Sequence, residues 1–156
     1  DHWPLEVVVA ITSHGAKGVS STEGMERSRL TSPFYNQWLR SAGDDYAEAS
    51  GAIAARDFAK LAAVAELSCL KMHSLMLTSS PTLSYWTPAS IACMDRIRAL
   101  RAQGEAVFFT VDAGPQIKAV CLPESRMAVA QALSEVPGVL EILRCPLGEG
   151  ARIIDD

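Results

Sequence analysis

The sequence predicts an α+β fold, a mostly antiparallel sheet of about four strands with helices packed on one face. Three observations carry this. β-Branched and aromatic runs open the chain, occupy its centre and return near its end. Helical periodicities fill the intervals between them. The two central runs are separated only by a turn containing Gly114-Pro115, which makes that pair an antiparallel hairpin. Strands paired in this way, with helices grouped between them, belong to the α+β class. A length of 156 residues suffices for one domain with its own core, and 49% hydrophobic and 21% charged residues are globular values.

Leu5 to Thr12 (LEVVVAIT) reads as the first strand. Ser13 to Gly18 is a loop carrying Gly15 and Gly18. A helix starts after Val19, where Ser20 with Glu23 matches a capping box. Helix N-termini hold unpaired N–H groups and partial positive charge, so this loop with the hydroxyls of Ser20, Ser21 and Thr22 is a candidate phosphate cradle. Helix capping is the competing account of the same hydroxyls. Thr31-Ser32-Pro33 predicts a fresh helix start, with Ser32 as N-cap, Pro33 in the first turn, and Phe34 and Trp38 on the apolar side. Gly43-Asp44-Asp45 predicts an interruption, after which Tyr46 to Ala55 is Ala-rich and helical.

Arg56-Asp57 introduces the clearest helix, in which Phe58, Leu61, Ala65, Cys69, Met72 and Met76 form one apolar stripe. His73 lies beside that stripe and reads as a histidine hydrogen-bonded within the fold rather than a catalytic one. Thr78 to Tyr85, with Pro81, is a loop. Thr87-Pro88 caps a further helix, with Ile91, Met94, Ile97 and Leu100 predicted inward and Asp95, Arg96, Arg98 and Arg101 outward, ended by Gly104. The hairpin strands are Val107 to Val111 and Ile117 to Leu122. Pro123-Glu124-Ser125 opens a helix to about Glu135, with Val129, Leu133 and Val136 inward. Pro137-Gly138 breaks it, Leu140 to Arg144 is a strand, and Ala151 to Ile154 is a candidate last strand.

A net charge of −4 and a pI near 5.4 argue against a nucleic-acid partner. No apolar stretch approaches the roughly 20 residues that span a bilayer, so no membrane association is expected. Nothing resembles a signal peptide, and a cytoplasmic location is the expectation. Cys69, Cys93, Cys121 and Cys145 are widely spaced in apolar contexts, without the spacing of a zinc site, and read as buried thiols. No metal ligands are assigned. The chain opens Asp1-His2-Trp3-Pro4 without an initiator Met, just before a strand, which reads as part of something longer.

Asp112, where the first hairpin strand runs out into the turn, is a candidate ligand-facing carboxylate. A carboxylate there is fixed by rigid structure yet faces outward; alternatively, Asp is common at turns because it bonds nearby backbone N–H groups.

Val19-Ser20-Ser21-Thr22-Glu23-Gly24-Met25, followed by Thr31-Ser32 and Phe34-Tyr35, resembles a segment of the diphosphomevalonate decarboxylases. Lys71-Met72-His73, Pro81, Tyr85 and the helix from Pro88 keep that family's order and spacing. Phe109-Thr110-Val111-Asp112-Ala113-Gly114-Pro115 resembles its signature, with Val111 where Met or Phe is usual, and Lys118 and Val120 continue the likeness. The resemblance covers nearly the whole chain. It implies the C-terminal domain of a two-domain enzyme of the GHMP kinase superfamily, with the ATP-binding loop on an N-terminal domain absent from this chain. Gly15-Ala16-Lys17-Gly18-Val19-Ser20-Ser21 lacks the GxxxxGK[ST] pattern of a phosphate loop.

By resemblance, the reaction is ATP-dependent conversion of mevalonate 5-diphosphate to isopentenyl diphosphate, ADP, phosphate and CO₂. Asp112 aligns with the catalytic aspartate, as positioner and general base for the 3-hydroxyl. Ser21 and Thr22 align with substrate contacts, and Lys17 is a further candidate for the diphosphate. Some bacterial members carry Arg where this chain has Thr22, a departure that removes a cation from that position. ATP and Mg²⁺ are expected to be held mainly by the N-terminal domain, the full-length protein to be a homodimer, and the isolated chain to be inactive. A phosphomevalonate decarboxylase or a mevalonate 3-kinase is the related alternative. A non-catalytic binding or dimerisation module is the alternative from another class.

Overall fold

The computed structural model describes residues 2–148 and 150. The elements, in chain order, are β1 (Glu6–Ile11), α1 (Ser21–Thr31), α2 (Tyr35–Ala55), α3 (Phe58–Leu77), α4 (Pro88–Ala102), β2 (Val107–Thr110), β3 (Ile117–Cys121), a 3₁₀ turn (Pro123–Ser125), α5 (Arg126–Ser134) and β4 (Glu141–Pro146). The strand expected at Ala151 to Ile154 lies outside the described residues. One antiparallel sheet of 4 strands results, in the order β2-β3-β1-β4. Among the described residues, no helix is long and apolar enough to cross a membrane.

Strand alternation sorts the sheet into two faces. Val8, Ala10, Val107, Phe109, Ile117, Ala119 and Cys121 point one way, into a core shared with Cys93, Ile97 and Leu100 of α4 and Val129 and Leu133 of α5. Phe108 and Val120 point the other way and meet Phe58, Leu61 and Ala52, with Trp3 and Leu5 beside them. Asp57 caps α3 by accepting from the Lys60 N–H at 3.0 Å. α3 runs along the free edge of β2, where unpaired backbone groups would otherwise be exposed. Glu66, only 8% exposed, accepts the Phe109 N–H at 3.2 Å and two bonds from Arg101 at 2.6 and 3.0 Å. Arg101 was expected outward. It turns back because a buried carboxylate needs a charged partner.

Other local expectations are also revised. α2 runs unbroken through Gly43-Asp44-Asp45, because Asp45 accepts from Lys71 of α3 at 2.7 Å and ties the helix pair together. Ser32 ends α1, donating its N–H to Ser28 O at 2.9 Å, and α2 starts only at Tyr35. Ser20 does cap α1 through the Glu23 N–H at 3.1 Å. The Glu23 carboxylate turns to Arg27 at 3.1 Å and does not complete the box. Ile91 is 49% exposed, and the inward positions of α4 are Ala89, Ser90, Cys93, Met94, Ile97 and Leu100. Cys69, Cys93 and Cys121 are buried thiols, whereas Cys145 is exposed on β4 at the sheet edge.

Candidate active site

Asp112 stands at the exit of β2, two residues beyond Thr110, and its backbone is held from behind. Val111 is 1% exposed and is gripped by two residues of α3. His73 Nε2 donates to Val111 O at 3.0 Å, and the Val111 N–H donates to Cys69 Sγ at 3.3 Å. His73 is 2% exposed and stacks against Trp86, with ring centroids 4.5 Å apart. Burial pushes its imidazole below the ordinary value of 6.5, against the backbone hydrogen bonds at Val111 and Asp112 and the Asp112 charge, which favour protonation. A neutral ring donating to a carbonyl is the structural role expected of it. On the turn side, the Gly114 N–H donates to Asp112 O at 2.7 Å.

The Asp112 side chain faces solvent at 77% exposure and pairs with Lys118 of β3, Nζ to Oδ2 2.6 Å. Both line a cleft of about 340 Å³ completed by the loop of Gly15, Ala16 and Lys17 and the turn of Ala113 to Gln116. Lys17 donates to Ala113 O at 2.7 Å and Ser21 Oγ at 3.0 Å, tying the first loop, the start of α1 and the hairpin turn together. Its ammonium also lies 6.0 Å from the Tyr85 ring centre. Ser21 and Thr22 open into an adjoining groove with Met25, Arg29, Tyr35, Met72 and Ala113, and the two spaces meet at Ala113.

The seat of α1 is set by a close approach. A Cβ at Gly24 would lie 2.5 Å from the Tyr85 hydroxyl and 2.9 Å from Leu83, so glycine lets the helix lie against that loop. The Tyr85 O–H reaches Ser20 O at 3.0 Å and Val19 O at 3.2 Å, fixing the turn that precedes the helix. Tyr85, 65 residues beyond Ser20, therefore places the hydroxyls of Ser21 and Thr22 from a distant loop.

Lys17, Ser21 and the Asp112 turn are thus in one place, with Thr22 next to them. Lys118 is the residue that motif reading passed over as a site residue. Its signal is a lone charge within an otherwise apolar strand (IKAVC). The donor set comprises two ammonium groups, hydroxyls, a helix N-terminus, the Arg29 guanidinium and two carboxylates each already in an ion pair, Asp112 with Lys118 and Glu26 with Arg29. It fits an anionic substrate with a proton to lose. It does not fit a magnesium cage: among the described residues no group of three or more His, Cys, Asp or Glu converges.

Residues 7–142 match the family model of the mevalonate 5-diphosphate decarboxylase C-terminal domain. A diphosphomevalonate decarboxylase of Aspergillus fumigatus is 29% identical over 141 residues, which is 88% of this chain and 35% of that protein. The structure of mevalonate pyrophosphate decarboxylase from Streptococcus pyogenes superposes with a TM-score of 0.88 at 28% identity, over 97% of this chain and 47% of that one. A chain described as MDDEF in complex with MVAPP, AMPPCP and magnesium superposes at 0.83 with 33% identity, over 93% of this chain and 45% of that one. This chain therefore spans about a third of the length of the fungal relative and under half of these solved chains. Its match with the family model covers most of its length and both hairpin strands that carry the site, and on that ground the chain belongs to the mevalonate 5-diphosphate decarboxylase C-terminal domain family.

Proposed function

We propose that this domain supplies the substrate-facing half of an ATP-dependent decarboxylase acting on mevalonate 5-diphosphate. The observation that carries the reading is the Asp112 carboxylate at a rigidly held strand exit, in one cleft with Lys17 and Lys118 and next to the hydroxyls of α1. The substrate is a 3-hydroxy acid, and hydroxide at C3 is too poor a leaving group for CO₂ to depart. Asp112 holds the 3-hydroxyl and takes its proton as the oxygen bonds to the γ-phosphorus of ATP and ADP leaves. The new C3 phosphate then departs with its electron pair. The electrons of the bond to CO₂ become the double bond of isopentenyl diphosphate. Once Asp112 has released that proton to solvent, its restored carboxylate also stabilises positive charge developing at C3.

Lys17 and the start of α1, with Ser21 and Thr22, hold the anionic end of the substrate. The nucleotide and its magnesium are assigned to a preceding domain. One fact supports that assignment: a similar chain of about twice the length was captured with AMPPCP and magnesium. A homodimeric full-length enzyme is part of the same proposal.

The test is decarboxylation by the full-length protein with mevalonate 5-diphosphate and Mg-ATP, comparing wild type with Asp112→Asn. The substitution keeps the shape and removes the base. A fall in kcat of about a thousandfold, roughly 4 kcal/mol of barrier, with little change in KM is expected. Activity near wild type would return Asp112 to a turn residue. A strong preference for mevalonate 5-phosphate, or phosphorylation without CO₂ release, would replace the diphosphate decarboxylase with its monophosphate or 3-kinase relative.

A further inference from the structure

Lys118 is costly where it stands unless it has a task. β3 is an interior strand, flanked by β2 and β1, and Lys118 pairs in register with Thr110 on one side and Val9 on the other. Its neighbours along the strand are Ile117, Ala119, Val120 and Cys121, and lysine is disfavoured in such a setting. Its side chain is only 33% exposed, while the carboxylate it meets is 77% exposed. An ion pair that open to water adds little to stability, so stability alone does not account for the lysine.

The register accounts for its aim. Because Lys118 lies opposite Thr110, Asp112 is its diagonal neighbour on the same face, within reach of a long side chain. The stem lies along the sheet and the ammonium meets Asp112 Oδ2 at 2.6 Å. Among the described residues, no other cation forms an ion pair with Asp112. Lys17 lines the same cleft, but two of its three N–H groups go to Ala113 O and Ser21 Oγ and none to Asp112.

We infer that Lys118 is a positioning residue: it holds the Asp112 carboxylate by one oxygen, in one rotamer, and leaves the other oxygen aimed into the cleft for the substrate proton. This rests on the proposed function, in which Asp112 is the base. A base that must find the hydroxyl by rotating freely at a solvent-facing turn loses the benefit of a preset geometry.

The test uses the full-length protein and the variants Lys118→Met and Lys118→Arg, with unfolding temperatures checking that each is folded. With mevalonate 5-diphosphate and Mg-ATP, Lys118→Met is expected to lose about ten- to a hundredfold in kcat with KM within about twofold, and Lys118→Arg to recover most of the loss. Independently of turnover, three-bond couplings in ¹³C-aspartate-labelled protein are expected to report one χ1 rotamer for Asp112 in wild type and averaging in Lys118→Met. Asp112→Asn identifies the resonance. An active wild type with unchanged kcat in Lys118→Met overturns the inference, as does an unchanged Asp112 rotamer. An inactive wild type overturns the functional reading instead, and the couplings then decide the positioning role alone.

Discussion

His73 illustrates how a residue two removes from the proposed chemistry can matter to it. It is not among the residues lining the Asp112 cleft, yet it holds the carbonyl immediately before Asp112 and does so as a buried neutral ring. Its depressed affinity for protons has a stability consequence. The unfolded chain takes up a proton near pH 6.5, while the native imidazole refuses it until lower pH. The native state is therefore fully favoured above that value and loses stability as pH falls from there through the folded-state pKa. Urea denaturation from pH 7.5 to 5 should show this acid-side loss, and His73→Gln, although less stable at neutral pH, should show a flatter profile. An equally steep decline in the variant would assign the acid sensitivity to other groups. Asp112, Lys17 and Lys118 have no such burial; what constrains them is the backbone behind them and one another.

α2 is the element on which local propensity and packing disagree most. Gly43 followed by two aspartates is a plausible stop, and a glycine within a helix costs about 1 kcal/mol relative to alanine. The helix continues for 21 residues because its packing against α3 and the Asp45–Lys71 pair outweigh that local cost. Gly43 is exposed, and a Cβ there would meet nothing within 4 Å. Gly43→Ala is therefore expected to stabilise the protein by about 0.5–1 kcal/mol, read as a higher urea midpoint at unchanged m-value. A lower midpoint would mean that the glycine serves a contact absent from these residues. The same competition explains α4, where Ile91 fits the helical stripe by spacing but falls outside the contact with the sheet, and Cys93 takes the buried place.

For the molecule as a whole, the proposed division of labour yields a prediction. This chain brings together a candidate base, two lysines and a helix N-terminus, but the loop from Gly15 to Ser21 has no nucleotide-cradling pattern. The chain by itself is expected to release no phosphate from Mg-ATP above background in the presence of mevalonate 5-diphosphate, while the full-length protein does; turnover by the chain alone would place the nucleotide here. The sequence by itself determined the element types, the hairpin, the antiparallel α+β class and the candidate base. All of these rest on short-range signals: strand alternation, helical period, caps, turns and a motif contiguous in the chain. It also marked Lys17, Ser21 and Thr22, which lie close to one another along the chain. Only the tertiary structure decided that Lys118 reaches Asp112, that Tyr85 and Gly24 seat α1, that Cys69 and His73 grip Val111, and that Arg101 turns inward to Glu66. Each of these depends on which strand lies beside which and on the path of α3 along the edge of β2. Such contacts join residues far apart in sequence, and their geometry follows from the packing of the whole rather than from the preference of any one segment.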